Sequence, residues 1–317
     1  MNIMVNNYCN LRCSYCFAST EMYEKSEKQN MKEKDFFKIL TYLKRNGIKE
    51  VRIIGGEPTI HPRFKEFLQI VIRDPWFDSV FIFSNCTFST EILYEIMVAA
   101  TKKKVVVLPN YNEKDFLGKR GEIVDKNLKT LTNCGIVKTL GINIYSEDYD
   151  YSYALDKALE LGIKQIRWSI TTPNYKLSDG FDVKAYFRGF YGVLREFLKE
   201  CREKEIYAML DCNTIPPCVF TEEEKRELLS YKEDLFKRTD CSVILDINPQ
   251  LDIFRCFGMS DGYHEKLKSK KSIGEVMESI EGEFRETEKR TLFDECGGCP
   301  VYRKQGKSCS CLVYRNN

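Results

Sequence analysis

Three cysteines near the start of the chain have the type and spacing to bind a metal group. Cys9, Cys13 and Cys16 lie in the stretch YCNLRCSYCF, separated by three and then two residues. A structural zinc ion or an iron–sulfur cube normally takes four protein ligands, but the next cysteine is Cys86. A cube held here would keep one iron open to a ligand that is not protein, which indicates chemistry on that ligand. The alternative is three buried thiols without a ligand role.

The amino-acid composition is unusual in its high number of cysteines. The 317 residues include 14 cysteines and only 2 histidines. The N-terminus lacks the basic and apolar segments of a signal peptide, so we expect a cytoplasmic protein whose thiols stay reduced. Metal ligation is then the leading interpretation, and thiolate ligands favour iron–sulfur clusters or structural zinc over catalytic zinc. His61, in the segment IHP, is interpreted as loop structure rather than as a catalyst.

Charge and hydropathy exclude two classes of partner. The net charge is +2 and basic and acidic residues are interleaved, so we expect no nucleic acid. No stretch approaches about 18 consecutive apolar residues, so we expect no membrane span. A hydrophobic content of 43% with 30% charged residues is typical of a globular protein.

The elements that must position the first cysteines alternate between strands and helices. Apolar runs predict strands at 1–6, 51–55, 80–84, 105–109, 139–145 and 166–171. Amphipathic patterns predict helices at 32–46, 62–73, 89–101, 120–134, 149–161 and 182–204. This alternation predicts parallel strands joined by crossover helices, as in a partial barrel or a doubly wound sheet. The cysteines then follow the first strand, at the sheet edge where chemistry collects in such folds.

The pattern changes after residue 205, which predicts two domains, 1–205 and 206–317. In the second, IYAMLDC reads as a strand and CSVILDINPQLDIFRC as a hairpin that turns at Asn248–Pro249. Helices are predicted near 221–238 and 273–289. The tail DECGGCPVYRKQGKSCSC reads as irregular loop, which metal ligation would order.

Several of these features together resemble the radical S-adenosylmethionine superfamily. They are the C-x3-C-x2-C triad after the first strand, Tyr15 before its third cysteine, and GGEP at 55–58 after the second strand. The resemblance implies a partial (β/α)6 TIM-like barrel and a 4Fe–4S cluster on the triad. It also implies that S-adenosylmethionine chelates the remaining iron. Reduction would then yield a 5′-deoxyadenosyl radical, which takes a hydrogen atom from the substrate.

The resemblance also assigns roles to the GGEP residues, with Tyr15 placed in the same cofactor site. Gly55 and Gly56 would allow close backbone approach at a strand end. Glu57 would accept a charge-assisted hydrogen bond from the methionine ammonium, and Pro58 would stiffen the loop.

The later strands carry further candidates for the cofactor. Ser84 and Asn85, in SNC at the end of the third strand, are candidates for contacts to the methionyl or ribose part. Asn143 on the fifth strand is a candidate for the ribose, and Ser169 on the sixth for the adenine region. Cys86 replaces the glycine expected in the SNC turn. It is a candidate hydrogen-atom donor, as in epimerisation, or a small buried side chain.

Eight C-terminal cysteines resemble those of the SPASM and twitch extensions, which hold one or two auxiliary iron–sulfur clusters. They are Cys212, Cys218, Cys241, Cys256, Cys296, Cys299, Cys309 and Cys311. Two fully ligated cubes need eight thiolates, so we expect two auxiliary clusters. The weaker version is one cluster on Cys241, Cys256, Cys296 and Cys299, and a structural zinc ion is the alternative. Leu251 stands where the SPASM hairpin usually has glycine, and the spacings after Cys299 also depart from that pattern.

The resemblance implies an enzyme that modifies a peptide or protein by a crosslink, thioether, oxidation or epimerisation. The chain begins almost at the first strand, so we expect the peptide to be held by the barrel mouth, by the C-terminal domain or by a separate recognition protein. An external one-electron reductant such as flavodoxin or ferredoxin is also expected. Radical oxidation or rearrangement of a small metabolite is the alternative. An electron-transfer or iron-storage protein is disfavoured, because such a protein has no use for GGEP.

Overall fold

The chain packs as two compact units, each built from two segments. The structure is a computed structural model. It describes residues 1–16, 18, 27–172, 181–211, 214–237, 241, 243–260, 262–268, 270–306, 309 and 311–315. One unit is Met1–Leu140 with Val243–Glu281, and the other is Gly141–Ser242 with Gly282–Asn317. The domain boundary at residue 205 stays a prediction from composition.

The elements follow the alternation expected from the sequence. The strands are β1 (Asn2–Met4), β2 (Glu50–Ile54), β3 (Ser79–Ser84), β4 (Lys104–Pro109), β5 (Leu140–Ile144), β6 (Gln165–Ile170), β7 (Tyr207–Leu210), β8 (Asp246–Ile247), β9 (Asp252–Phe254) and β10 (Glu265–Lys266). The α-helices are α1 (Glu33–Arg45), α2 (Phe64–Arg73), α3 (Thr90–Ala100), α4 (Lys114–Leu117), α5 (Gly121–Asn133), α6 (Ser152–Glu160), α7 (Val183–Gly189), α8 (Tyr191–Glu203), α9 (Glu222–Tyr231), α10 (Ile273–Lys289) and α11 (Pro300–Gln305). None of the described helices has the length and apolarity that a membrane span requires.

The first unit contains a seven-stranded sheet in the order β10-β9-β8-β1-β2-β3-β4. Strands β1 to β4 are parallel, with Ile3 opposite Ile53 and Val80 opposite Val105. Helices connect these strands, which confirms the predicted α/β fold class. The β8–β9 hairpin was predicted, but its place in this sheet, with β8 parallel to β1, was not.

The second unit contains a three-stranded sheet in the order β5-β6-β7. Its core includes Trp168 on β6, whose ring meets that of Phe197 on α8 edge to face at a centroid distance of 5.6 Å. The six strands predicted for the barrel are therefore all present, four in the first sheet and two in the second.

Three segments differ from the sequence prediction. The predicted helix over 182–204 is two helices, α7 and α8, interrupted at Phe190. A Cβ atom on Gly189, the last residue of α7, would lie 2.0 Å from Glu147 Oε1. The predicted helix over 221–238 ends at Tyr231. The cysteine-rich tail is partly helical, since Pro300 starts α11 and Gly306, at φ +70°, ends it.

The hairpin turn explains why related extensions would carry glycine at position 251. Leu251 has a φ of +64°, in the left-handed region that glycine adopts without strain. Asn248 holds the turn, because its side-chain oxygen accepts hydrogen bonds from the backbone N–H groups of Gln250 (3.0 Å) and Asp252 (2.9 Å). The leucine is therefore accommodated by a turn that its neighbour stabilises.

His61 is a buried structural group, as the sequence predicted, and gives the fold a pH dependence. The Arg63 N–H donates to His61 Nδ1 (3.0 Å), so Nε2 carries the proton and faces the Met31 carbonyl oxygen (3.3 Å). Burial lowers the pKa of the imidazole to about 4. Since an unfolded histidine titrates near about 6.5, the unfolded chain binds more protons between these values. The stability that His61 contributes is present above about pH 6.5 and is lost as the pH falls towards about 4.

We therefore expect the free energy of unfolding of the wild type to fall between pH 7 and pH 5 by about 2 kcal/mol more than that of His61→Gln. Urea unfolding of both proteins at the two pH values measures this difference. Parallel losses in the two proteins would contradict the assignment.

Candidate functional site

Backbone hydrogen bonds join the cysteine loop after β1 to the GGEP segment after β2. The Val5 N–H donates to the Ile54 carbonyl (2.9 Å) and continues the strand pairing. Beyond it, the Gly56 N–H donates to the Asn6 carbonyl (3.0 Å), and the Glu57 N–H donates to the Tyr8 carbonyl (2.9 Å). Cys9 is thereby held directly beside GGEP.

The two glycines of GGEP are required by this close approach. A Cβ atom on Gly56 would lie 2.2 Å from both the carbonyl carbon and the oxygen of Tyr8, and 2.8 Å from the Cys9 nitrogen. A Cβ atom on Gly55 would lie 2.1 Å from Asn6 Oδ1 and 3.0 Å from the Asn6 carbonyl oxygen. Both glycines are therefore needed for the close contact with the cysteine loop, independently of any contact to a ligand. Pro58 begins a short 3-10 turn, Pro58–Ile60.

The three thiols of the triad are close enough to affect one another's ionisation. Burial raises the pKa of Cys9 to about 12 and that of Cys16 to about 11, and it also raises the pKa of Cys13. The Glu57 carboxylate and the other two thiols raise the pKa of Cys9 further. Thiolate ligands must be deprotonated, so a positively charged group is what this donor set needs. An iron–sulfur cluster supplies that charge and takes thiolates on separate irons, so the residues fit such a group.

Glu57 lies inside the protein and its carboxylate is fully engaged. Oε1 accepts hydrogen bonds from the backbone N–H and the hydroxyl of Thr59 (3.2 and 2.5 Å) and from the Ser84 hydroxyl (2.8 Å). Oε2 accepts from the Asn85 backbone N–H (2.7 Å). Burial raises the pKa of this carboxyl group, and these four donors oppose the shift. The side chain therefore joins the ends of β2 and β3, and its contact to a methionine ammonium stays a prediction.

Asn85 reaches from the end of β3 to the first cysteine. Its amide nitrogen lies 3.6 Å from Cys9 Sγ and 3.0 Å from Asn10 Oδ1. The next residue, Cys86, is buried, with its sulfur 4.0 Å from the Ser84 carbonyl oxygen. Cys86 has a φ of +59°, so the turn has the left-handed conformation for which glycine was expected.

The positive φ angle of Cys86 leads to a prediction about stability. Cys86→Gly and Cys86→Ala both remove the thiol, but only glycine adopts this φ without strain. We expect the glycine variant to be more stable than the alanine variant by about 1 kcal/mol. Chemical unfolding of the two variants measures the difference, and equal stabilities would contradict the strain at this turn.

The sequence analysis missed two asparagines at the end of β4. Asn112 Oδ1 lies 3.7 Å from Cys13 Sγ and accepts a short hydrogen bond from the Tyr15 hydroxyl. Asn110 donates to the Tyr15 oxygen at 3.1 Å. The signal was available in LPNYN, because polar residues just after a parallel strand face the same sheet edge as the triad.

The two candidates on β5 and β6 are neighbours in the second unit. The Ser169 hydroxyl donates to Asn143 Oδ1 at 3.0 Å. The two polar side chains therefore lie on adjacent strands of the three-stranded sheet. Their assignment to the ribose and adenine of a cofactor stays a prediction.

Four of the C-terminal cysteines line one cavity in the second unit. Cys218, Cys296, Cys299 and Cys309 are among the residues that line a cavity of about 120 Å³. Burial raises the pKa of Cys309 to about 11, and the other three thiols add to the shift by repulsion. Thiols that disfavour one another's ionisation are stabilised as ligands by a shared cationic group. Lys184, paired with Glu295 (3.0 Å), also borders the cavity.

The remaining cysteines of the predicted ligand set are placed as follows. Cys212 lies outside the described residues. Cys256 follows β9 in the first unit, whereas Cys241 belongs to the second unit, as does the buried Cys311. Within the described part of the chain, no three His, Cys, Asp or Glu side chains are grouped so as to hold a single metal ion.

Comparison with known proteins identifies the N-terminal half. Residues 3–151 match the family described as the radical SAM superfamily. The curated relatives include a GTP 3′,8-cyclase from Chlorobaculum tepidum, 32% identical over 85 residues. This match covers 27% of the chain and 25% of the relative. An S-adenosylmethionine-dependent nucleotide dehydratase from a Thermoplasmatales archaeon is 33% identical over 70 residues, which are 22% of the chain and 24% of that relative.

A solved structure resembles nearly the whole chain. It is SuiB from Streptococcus suis bound to its precursor peptide SuiA, with a TM-score of 0.62 and 19% identity. The match covers 98% of this chain and 69% of SuiB. At this identity the likeness concerns the fold, and it agrees with the predicted α/β class.

Proposed function

We propose that this chain, whose residues 3–151 match the family described as the radical SAM superfamily, is an enzyme that cleaves S-adenosylmethionine reductively and modifies a peptide or protein. The observation that carries the proposal is the triad of partly buried thiols, Cys9, Cys13 and Cys16, held against GGEP at the ends of parallel strands. When bound there, a 4Fe–4S cluster with S-adenosylmethionine on its open iron supplies a 5′-deoxyadenosyl radical that abstracts a hydrogen atom.

The chain's own residues hold and enclose that site. The three thiolates would bind the cluster, and the close Gly56 contact fixes the Cys9 backbone. Tyr15, Asn110 and Asn112 form a polar wall beside Cys13, with hydroxyl and amide groups that suit a polar cofactor. We further propose that reducing equivalents come from flavodoxin or ferredoxin, in the cytoplasm and away from oxygen.

We also propose one auxiliary iron–sulfur cluster in the second unit, on Cys218, Cys296, Cys299 and Cys309. These thiols line one cavity, which supports this set over the one expected from the hairpin pair. Four thiolates complete the coordination of a cube, so this cluster would carry electrons rather than bind substrate. A structural zinc ion is the alternative in the test below.

The iron content of the anaerobically reconstituted protein tests this ligand set. We expect about eight irons per chain, and about four in a Cys296→Ala/Cys299→Ala variant, because one of two cubes is lost. Cys134→Ala, which removes an exposed cysteine, is the matched control and should keep about eight. About twelve irons would indicate a second auxiliary cluster, whereas about four in the wild type, with zinc present, would contradict an auxiliary cluster.

The peptide substrate is supported by the fold that the chain shares with SuiB, a protein solved with its precursor peptide. The second candidate function is radical chemistry on a small metabolite. It is favoured by the sequence relatives, whose names describe a GTP cyclase and a nucleotide dehydratase. The chain matches only about a quarter of each of these two relatives, so their substrates do not transfer directly.

Incubation with S-adenosylmethionine and reductant distinguishes the two candidates. The assay compares small precursor peptides encoded beside the gene with nucleoside triphosphates, each fully deuterated. Deuterium in 5′-deoxyadenosine and a mass change in the peptide are expected. Deuterium transfer from the nucleotides alone would overturn the peptide proposal. In the same assay, full peptide turnover by Cys86→Ala would exclude Cys86 as the hydrogen-atom donor.

A further inference from the structure

We propose that Asn85 is a positioning residue for the first cluster. Its side-chain amide donates a hydrogen bond to the Cys9 thiolate and thereby raises the reduction potential of the cluster. The inference rests on the proposed function, since it concerns the group that the triad would hold. It differs from the sequence prediction, which assigned Asn85 to the methionyl or ribose part of S-adenosylmethionine.

The orientation of the Asn85 amide is fixed by groups other than the thiol. Asn85 Oδ1 accepts hydrogen bonds from the backbone N–H (3.0 Å) and the hydroxyl (2.6 Å) of Thr87. A backbone N–H can only donate, so the atom facing Thr87 must be the oxygen. The amide nitrogen therefore faces Asn10 Oδ1 (3.0 Å) and Cys9 Sγ (3.6 Å).

A closed ring of three side chains reinforces this orientation. Asn85 donates to Asn10, the Asn10 amide donates to the Thr87 hydroxyl (2.7 Å), and that hydroxyl donates back to Asn85. Every donor in the ring has an acceptor, and hydrogen bonds arranged in sequence polarise and strengthen one another. Turning the amide over would break several bonds of the ring at once.

Glu57 fixes the backbone from which Asn85 projects. The Asn85 N–H donates to Glu57 Oε2 (2.7 Å), while Thr59 and Ser84 hold the other carboxylate oxygen. The carboxylate is buried and ties the turn after β3 to the GGEP segment. We infer that Glu57 acts on the cluster through Asn85.

The contact matters because, among the described residues, it is one of two N–H contacts to the Cys9 sulfur that can stabilise its negative charge. The Leu11 N–H lies 3.3 Å from Cys9 Sγ, and the Asn85 amide is the second N–H donor. A one-electron reduction adds negative charge to the cluster and its thiolates. Hydrogen bonds to the sulfurs favour this reduced state, which is how they raise the potential of iron–sulfur clusters.

Two substitutions at position 85 test the inference. Asn85→Asp keeps the shape and the acceptor for Thr87, but it turns an oxygen towards Cys9 and Asn10. Asn85→Leu removes the donor without adding charge. Asn133→Asp, at an exposed position at the end of α5, adds the same charge as a control.

The measurement is an anaerobic redox titration followed by electron paramagnetic resonance, using the signal that a Cys9/Cys13/Cys16→Ala variant lacks. We expect both Asn85 variants to disfavour the reduced cluster about tenfold, which is about 59 mV for one electron, since a hydrogen bond to a charged group has this strength. Asn133→Asp should titrate as the wild type does. Glu57→Gln removes a carboxylate that opposes negative charge at Cys9, which alone would favour the reduced cluster. A shift in the opposite direction, as in the Asn85 variants, is expected because the variant replaces the acceptor that holds the Asn85 N–H.

The outcomes separate this inference from the proposed function. Unchanged potentials in both Asn85 variants, with the cluster present, would overturn the positioning role and leave the proposed function standing. A Glu57→Gln variant with weaker S-adenosylmethionine binding and an unchanged or raised potential would overturn the role of Glu57. A wild type that forms no cluster on the triad would overturn both proposals.

Discussion

Replacing Cys9, Cys13 and Cys16 by alanine is expected to abolish 5′-deoxyadenosine formation and to lower the iron content by about four per chain. The three thiols are partly buried. Burial raises the pKa of Cys9, and the nearby Cys13 and Cys16 thiols raise it further. Among the described residues, removing them leaves the buried Cys86, which faces the Ser84 carbonyl, as the one thiol at the carboxyl ends of β1 to β3. We therefore expect complete loss rather than a graded reduction.

The control for this experiment is Cys201→Ala. Cys201 is a buried thiol on α8 in the second unit. The control variant therefore also loses a buried cysteine, but one outside the candidate site. It should keep its iron and its activity, although its stability will fall somewhat. Residual 5′-deoxyadenosine in the triad variant, above the level without protein, would contradict the assignment of the site.

Gly56→Ala is expected to be the most damaging single substitution in the GGEP segment. The added Cβ would lie 2.2 Å from the Tyr8 carbonyl group and 2.8 Å from the Cys9 nitrogen, and both are backbone atoms that cannot rotate away. The loop must move, which breaks the hydrogen bond between the Glu57 N–H and the Tyr8 carbonyl. We expect a loss of stability of about 3 kcal/mol and an incomplete first cluster, measured by urea unfolding and iron analysis.

Gly192→Ala is the matched control for Gly56→Ala. Gly192 lies in α8, and a Cβ atom there would meet nothing within 4 Å. The variant should be as stable as the wild type or more stable by up to about 1 kcal/mol, because alanine favours the helix. A Gly56→Ala protein with wild-type stability and iron content would show that the close approach to Tyr8 is not required.

The parts of the fold that were predictable depend on local patterns. Strands β1 to β6 lie within a residue or two of the apolar runs because each run is short, buried and bounded by helix signals. The place of β8 beside β1 was not predictable, since that pairing joins residues more than 240 positions apart and leaves no local mark. The break between α7 and α8 was also not predicted from the amphipathic pattern.

The candidate site was likewise predictable from the sequence only in part. The triad and GGEP were visible because cysteine spacing and paired glycines are local signals. The grouping of Cys218 with Cys309 was not visible, because only the folded chain brings them to one cavity. The internal bonding of Glu57 was missed for a related reason: a carboxylate after a strand looks available until its partners, Ser84 and the Asn85 N–H, are placed beside it.

The most direct test of the account is reductive cleavage of S-adenosylmethionine by the anaerobically reconstituted protein. With a strong reductant, the account predicts 5′-deoxyadenosine and methionine in equal amounts, dependent on iron and absent from the triad variant. A reconstituted protein with a full first cluster that forms no 5′-deoxyadenosine would contradict the central claim. It would leave the electron-transfer interpretation in its place.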